Sequence, residues 1–325
     1  MADPHPDPQP GPAELSSTAH EEGGPARRLP GACYLVDHLT AYDYGAPVSQ
    51  SWQLARLTPR ELPWQRVIRH RLDIAPAPDE QHESEDSFGN RVVHFALHRP
   101  HRLLHVRMRC EVEVGERPLP QRMPVAGATL TWEQVRDAIR HEPGLDGLLP
   151  ARLSEPSPLV PLLDTARRYA GESLRPGRPW LESVLALMRA IHRDFEFQSG
   201  VTTSSTSVVE VFQQRRGVCQ DFAHVMLAAL RSHGLAARYV SGYLLTDPPP
   251  GQPRLMGADA SHAWVAAYHP VFGWLEFDPT NDQTADSRYV TLAWGADFAD
   301  VVPLRGVILG GAAQALRVAV SVIPV

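Results

Sequence analysis

The chain has 325 residues with 31 basic and 37 acidic side chains, and every basic one is arginine. Without lysine there is no Schiff-base or pyridoxal-phosphate nucleophile and no P-loop lysine to reach a nucleotide phosphate. A net charge of −6 provides no field for nucleic acid or anionic lipid, no stretch approaches the length of an apolar membrane span, and 43% hydrophobic content supports a soluble protein with a real core.

Residues 1–30 carry seven prolines and lack the basic and apolar regions of a secretory signal, so they read as a disordered tail of a cytoplasmic protein. From 31 to 118 the pattern has period two. It is clearest where Leu104, Val106, Met108, Cys110, Val112 and Val114 alternate with charged residues, which predicts half-buried strands and an antiparallel β domain. Asp86-Ser87-Phe88-Gly89-Asn90 is turn chemistry for a hairpin within it. Segment 119–310 reads as a second, α+β domain. Its first part is rich in proline and glycine, with helices expected near 132–140 and 159–170.

Leu181, Val184, Leu185, Met188, Ile191 and Phe195 then fall at helical spacing, and Ser207 with Glu210 forms a capping box for a short helix expected to end at Gly217. Cys219, Phe222, Ala223, Met226, Leu227 and Leu230 make one apolar helical stripe closed by Gly234. Strands follow at 237–245, 261–269 and 274–277, with a polar loop over 246–260. Helices first and strands afterwards give the α+β class. Residues 311–325 alternate again and are expected to return and pair with the first domain.

Three cysteines, Cys33, Cys110 and Cys219, are too few and too scattered for a disulfide framework or a four-cysteine zinc site. Cys110 lies on an apolar strand face and reads as a small buried thiol. Cys219 stands on the first turn of its helix, where unpaired N–H groups and the macrodipole favour thiolate and can stabilise an oxyanion. The competing reading is that it simply begins the core stripe. A nucleophilic thiol needs an imidazole, and the imidazole needs an acceptor. His262 opens one strand and Asp278 ends the next, so an antiparallel pair would bring them side by side. His224, five residues after Cys219, is turned away from it and reads as packing or hydrogen bonding. A zinc site of Cys219, His224 and His262 is the weaker alternative to a Cys-His-Asp arrangement. Trp264 and Trp274, flanking these strands, and Gln220, next to the cysteine, are candidates to contact substrate, with core packing the default reading for the two tryptophans.

Taken together, Arg216-Gly217-Val218-Cys219-Gln220-Asp221-Phe222-Ala223-His224, the strand Ala237-Arg238-Tyr239-Val240-Ser241-Gly242-Tyr243, His262-Ala263-Trp264 and Phe277-Asp278-Pro279-Thr280 resemble the bacterial transglutaminase-like superfamily of cysteine-protease type. Phe88-Gly89-Asn90 and the strands preceding it resemble the β-rich region that accompanies this core, and the likeness extends to Arg288-Tyr289, Asp297-Phe298-Ala299-Asp300 and Pro303-Leu304-Arg305-Gly306. The resemblance implies a papain/transglutaminase-like core preceded by a β-sandwich-like domain. It further implies Cys219 as nucleophile, His262 as general base and acid, Asp278 as its orienting residue, and acyl transfer on amide bonds of a peptide or protein substrate. Neither metal nor organic cofactor is implied. Arylamine N-acetyltransferases share the Cys, His, Asp order, but the Arg216-Gly217-Val218-Cys219 run and the β-rich N-terminal half differ from theirs. A scaffold that keeps the fold without activity is the non-enzymatic alternative.

Overall fold

The computed structural model describes residues 31–117, 129–141, 145–203, 205–246 and 261–325. The expected tail at 1–30 and nearly all of the 246–260 loop lie outside the described residues.

One long strand organises the N-terminal half. β1 (Gly31–Ala55) pairs with β5 (His101–Gly115) along its first part on one edge and with β14 (Gln314–Pro324) on the other. Its last part pairs with β4 (Arg91–Leu97) and β13 (Leu304–Gly310). β2 (Gln65–Ala75) extends the sheet beyond β5 and β3 (Glu80–Glu85) beyond β4, giving seven antiparallel strands. The alternation in β5 is realised: Leu104, Val106, Met108, Cys110, Val112 and Val114 are buried on one face. Burial pushes the Cys110 thiol up to about 12, so it remains protonated and inert.

The remaining elements form the α+β part. Its helices are α1 (Trp132–His141), α2 (Leu145–Arg152), α3 (Asp164–Gly171), α4 (Trp180–Asp194), α5 (Val208–Gln214) and α6 (Cys219–Arg231). No helix among the described residues is long and apolar enough to cross a membrane. Two-residue strands β6 (Glu196–Phe197) and β7 (Arg216–Gly217) pair in parallel. The second sheet has the order β11-β10-β9-β8-β12, built from β8 (Ala237–Leu244), β9 (Ser261–His269), β10 (Gly273–Asp278), β11 (Gln283–Thr284) and β12 (Tyr289–Gly295).

The capping box at α5 forms as its sequence requires, with Ser207 Oγ accepting from the Glu210 N–H and Glu210 returning the bond to the Ser207 N–H. The helix stops at Gln214, not at Gly217. Arg215 takes a left-handed φ of 56°, and Arg216–Gly217 leaves as β7. α6 is buried all round from Asp221 to Arg231, which its continuous Ala, Val, Leu and Met content allows. It packs on β8 and β9 on one side and on α3, α4 and α5 on the other.

The two sheets share their interiors. Tyr243 of β8 and Val290 and Leu292 of β12 belong to the same apolar cluster as Val36, Val106 and Val320 of the first sheet. An arginine–tryptophan stack adds to this contact. The Arg60 and Arg238 guanidiniums lie 3.6 and 3.5 Å from the Trp294 ring centre, close enough that they must cover opposite faces. Asn90 of the turn donates to the Trp294 carbonyl (2.8 Å) and accepts from its N–H (3.0 Å), fixing that turn to β12.

Close approach between strands depends on Gly242 of β8. A Cβ there would lie 2.0 Å from the Val290 carbonyl oxygen and 2.6 Å from Trp264 Cη2, and the backbone neighbour cannot move aside alone. Gly242→Ala is expected to lower unfolding free energy by about 3 kcal/mol, the upper part of the usual overpacking range. Urea unfolding measures it, and an unchanged midpoint would contradict the packing described.

Candidate active site

The turn that delivers Cys219 is locally determined. Asp221, on the first turn of α6, accepts from the Val218 N–H (2.8 Å) and from the Thr202 hydroxyl (2.7 Å), satisfying a donor the helix cannot. Burial raises its carboxyl pKa despite these bonds. Gly217 makes room for it, since a Cβ at 217 would stand 2.5 Å from Asp221 Oδ2. Cys219 therefore begins α6 next to a packed, capped turn, and its side chain is partly exposed.

Across from it, β9 and β10 run antiparallel in the register Phe277 to Val265. One residue further, Asp278 falls opposite Trp264, so His262 is its diagonal neighbour on the same face. The imidazole bridges the gap. His262 Nε2 lies 2.7 Å from Asp278 Oδ2, which leaves Nδ1 as the ring atom available to Cys219, whose thiol lines the same cavity. Burial pushes the His262 pKa down, but hydrogen bonds and charge from Asp278 and Cys219 override it and raise the value to about 10.

Asp278 is fully buried and surrounded by donors. Oδ2 accepts from the Tyr289 hydroxyl (2.6 Å) and Asn281 Nδ2 (2.7 Å) as well as facing His262, while Oδ1 accepts from the Thr280 and Asn281 N–H groups (2.8 and 3.3 Å). Burial would raise its pKa, but the His262 bond and charge, with Tyr289 and Asn281, hold it below the ordinary carboxylate value. Burial and the Asp278 charge push the Tyr289 phenol far up, so it donates throughout the neutral range. Asn281 and Tyr289 are not among the residues the sequence reading selects. Asn281 carries a faint signal, an Asx-type turn following Asp278-Pro279, whereas Tyr289 enters only through the family likeness of Arg288-Tyr289 and lies in a continuously buried strand with no local pattern.

Comparison with known proteins identifies the family. Residues 34–113 match the bacterial transglutaminase-like N-terminal region and residues 167–279 match the transglutaminase-like superfamily. An uncharacterized protein of Mycobacterium tuberculosis is 43% identical over 297 residues, covering 90% of this chain and 92% of that one. The chain belongs to the transglutaminase-like superfamily. A protein-glutamine gamma-glutamyltransferase of Pseudomonas aeruginosa is 31% identical over 118 residues, 35% of this chain and 18% of its own. A crystal structure described as a candidate cysteine protease of Cytophaga hutchinsonii shares the fold, with a TM-score of 0.70 at 20% identity over 90% of this chain and 91% of that chain.

In this transglutaminase-like chain a cavity of about 580 Å³ opens at the cysteine and is lined by Cys219, Gln220, His262, Tyr239 and Ser241 among others. Gln220 thus borders this cavity. The two tryptophans do not. Trp264 is fully buried, its ring stacked behind His262 (centroids 6.0 Å apart) and its Nε1 donating to Glu276 Oε2 (2.8 Å). Glu276 in turn pairs with the buried Arg117, so Trp264 supports the imidazole from the protein side and cannot touch a substrate. Trp274 packs against Tyr268 (5.2 Å) and the Arg238 guanidinium (4.4 Å), outside the cavity lining.

His224 accepts from the Phe298 N–H (3.2 Å) and packs on Tyr239, and burial brings its pKa down to about 4. It is a neutral structural residue. Among the described residues no three histidine, cysteine or acidic side chains converge as metal ligands.

Proposed function

We propose that this protein is a thiol-dependent acyl-transfer enzyme acting on amide bonds of a peptide or peptide-like substrate. The observation that carries this reading is the placement of His262 between a fully buried, charged Asp278 and the thiol at the start of α6, at the mouth of a cavity. With a pKa of about 10, His262 is an imidazolium at neutral pH and can hold the charge of the attacking sulfur. Cys219 Sγ adds to the amide carbonyl, and the carbonyl oxygen takes up charge facing the N–H groups that open α6, including that of Cys219. His262 then passes its proton to the leaving amine, the C–N bond breaks and a thioester remains. Water or a second amine attacks the thioester, its proton passes to the now neutral imidazole, and the C–S bond breaks to return the Cys219 thiolate beside the imidazolium. Asp278 fixes the ring's tautomer and orientation and keeps its charge throughout.

Alkylation tests the reading directly. At pH 6 Cys219 should react with iodoacetamide roughly 100-fold faster than an unactivated thiol, which is almost wholly protonated there. In His262→Ala the rate should fall to that of the unactivated thiol. Mass mapping separates Cys219 from Cys33 and Cys110. Equal rates for wild type, variant and free thiol would eliminate thiol catalysis. Hydrolysis and transfer are separated by supplying an acyl-glutaminyl peptide with hydroxylamine: hydroxamate marks transfer and free acid marks hydrolysis. Self-crosslinking is no substitute, because the chain has no lysine to serve as acceptor.

A further inference from the structure

One wall of the Cys219 cavity comes from the distant C-terminal strand. β14 pairs with β1 so that Val320 opposes His38, Val318 opposes Thr40 and Leu316 opposes Tyr42. These pairs lie on the face whose β5 neighbours, Met108, Val106 and Leu104, are fully buried. Val320 too is fully buried. Two and four residues earlier on that face, Val318 and Leu316 are 49% and 56% exposed, and both line the cavity that contains Cys219 and His262. Among the described residues a core-facing strand surface is therefore left uncovered where it lines the cavity of the thiol. Phe197, also 55% exposed, adds a third large apolar side chain to the lining. No aspartate, glutamate or arginine lines the cavity among the described residues.

We propose that Leu316 and Val318 form the specificity wall of this cleft, and that the acyl donor is a peptide carrying an uncharged, apolar side chain next to the reacting amide. This rests on the thiol reading above and names its substrate class. An apolar side chain entering there would cover the open face of β14, whereas a carboxylate or guanidinium seated on Leu316 and Val318 would lose its hydration against apolar surface, and the His262 imidazolium of the lining is already paired with Asp278. The strand that closes the first sheet thereby selects substrate for the α+β part.

The test uses the full chain and three probes, the chloromethyl ketones of N-acetyl-leucine, N-acetyl-aspartate and N-acetyl-arginine. In each reaction the Cys219 sulfur forms a bond to the methylene carbon and chloride leaves. Rates are divided by those of the same probes with a free thiol. The leucine probe should label Cys219 at least 10-fold faster than either charged probe. Leu316→Asp and Val318→Asp, both at half-exposed positions, should remove that preference and bring the arginine probe to or above the leucine probe. Val307→Asp, at an exposed position of β13 outside the cavity lining, should leave the preference intact. Equal normalised rates for the three probes in the wild type, or an unchanged preference in both wall variants, would overturn the proposal. The ratios report the wall and the absolute rates report thiol activation, so slow labelling with the preference retained would count against the thiol reading alone.

Discussion

Asp278→Asn is expected to reduce acyl transfer by roughly 10³- to 10⁴-fold, the scale seen when a triad histidine loses its charged partner. The side chain is nearly isosteric, so the loss would come from charge and from donor placement. Both oxygens of Asp278 act only as acceptors: His262, Tyr289 and Asn281 converge on Oδ2, and the Thr280 and Asn281 N–H groups on Oδ1. In either orientation an amide NH₂ would face donors. Without the carboxylate, burial would pull the His262 pKa down from about 10, and the imidazolium would be lost at neutral pH.

The sign of the accompanying stability change follows from the two shifts. The raised His262 pKa contributes stability that is complete below the unfolded value of 6.5 and disappears as pH rises through about 10. The depressed Asp278 pKa contributes stability present above its unfolded value of 3.8 and lost as pH falls through the lower folded value. Asp278→Asn removes both contributions. The pH profile of Cys219 alkylation, measured with thermal melts, tests this. Wild-type activity with an unshifted profile in the variant would refute the assigned orienting role.

Acid should destabilise the fold through two other histidines. His38 lies buried between the sheets, with Nδ1 2.8 Å from the Tyr243 hydroxyl and Nε2 3.2 Å from Thr40 Oγ1. His224 is held by the Phe298 N–H on the far side of α6's first turns. Burial brings both to about 4 from an ordinary value of 6.5. The unfolded chain takes up these protons first, so stability is full above about pH 6.5 and falls as pH drops towards 4. Each shift corresponds to about 3 kcal/mol, and the pair to about 6, comparable with the whole stability of many proteins. Unfolding free energy measured between pH 7 and 4 should therefore fall steeply. His38→Gln and His224→Gln should each start lower at pH 7 and flatten the slope by one proton. A wild-type curve flat over that interval would contradict neutral buried histidines at these positions.

How much of this was legible from the residues differs by element. Helix α6 was legible because its apolar spacing and its capped first turn are local, and β5 because one face meets core and the other water. Strand β12 was not: every residue from Tyr289 to Gly295 is buried, so its run has no alternation, and Tyr289, though part of the family likeness, carried no local mark of its bond to Asp278. Helix α2 contains Pro150 and lies in a stretch that reads as proline-rich loop. Trp264 and Trp274 flank the right strands, but which side of a sheet an aromatic ring occupies depends on what covers that side, and here the cover is Glu276 with Arg117 and, for Trp274, Arg238.

The sequence by itself determined the chemistry available: a cysteine at a helix start, a histidine opening one strand, an aspartate closing the next, and no lysine anywhere. Those properties depend on residue type and short-range periodicity, which any folded form of the chain must express. Only the tertiary structure decided the strand register that sets His262 diagonal to Asp278, the donors that keep Asp278 charged, and the presence of Leu316 and Val318 in the lining of the Cys219 cavity. Each of these joins segments far apart in the chain. Their contacts arise from burial shared between the two sheets, and no local pattern encodes which distant surface a strand face will meet.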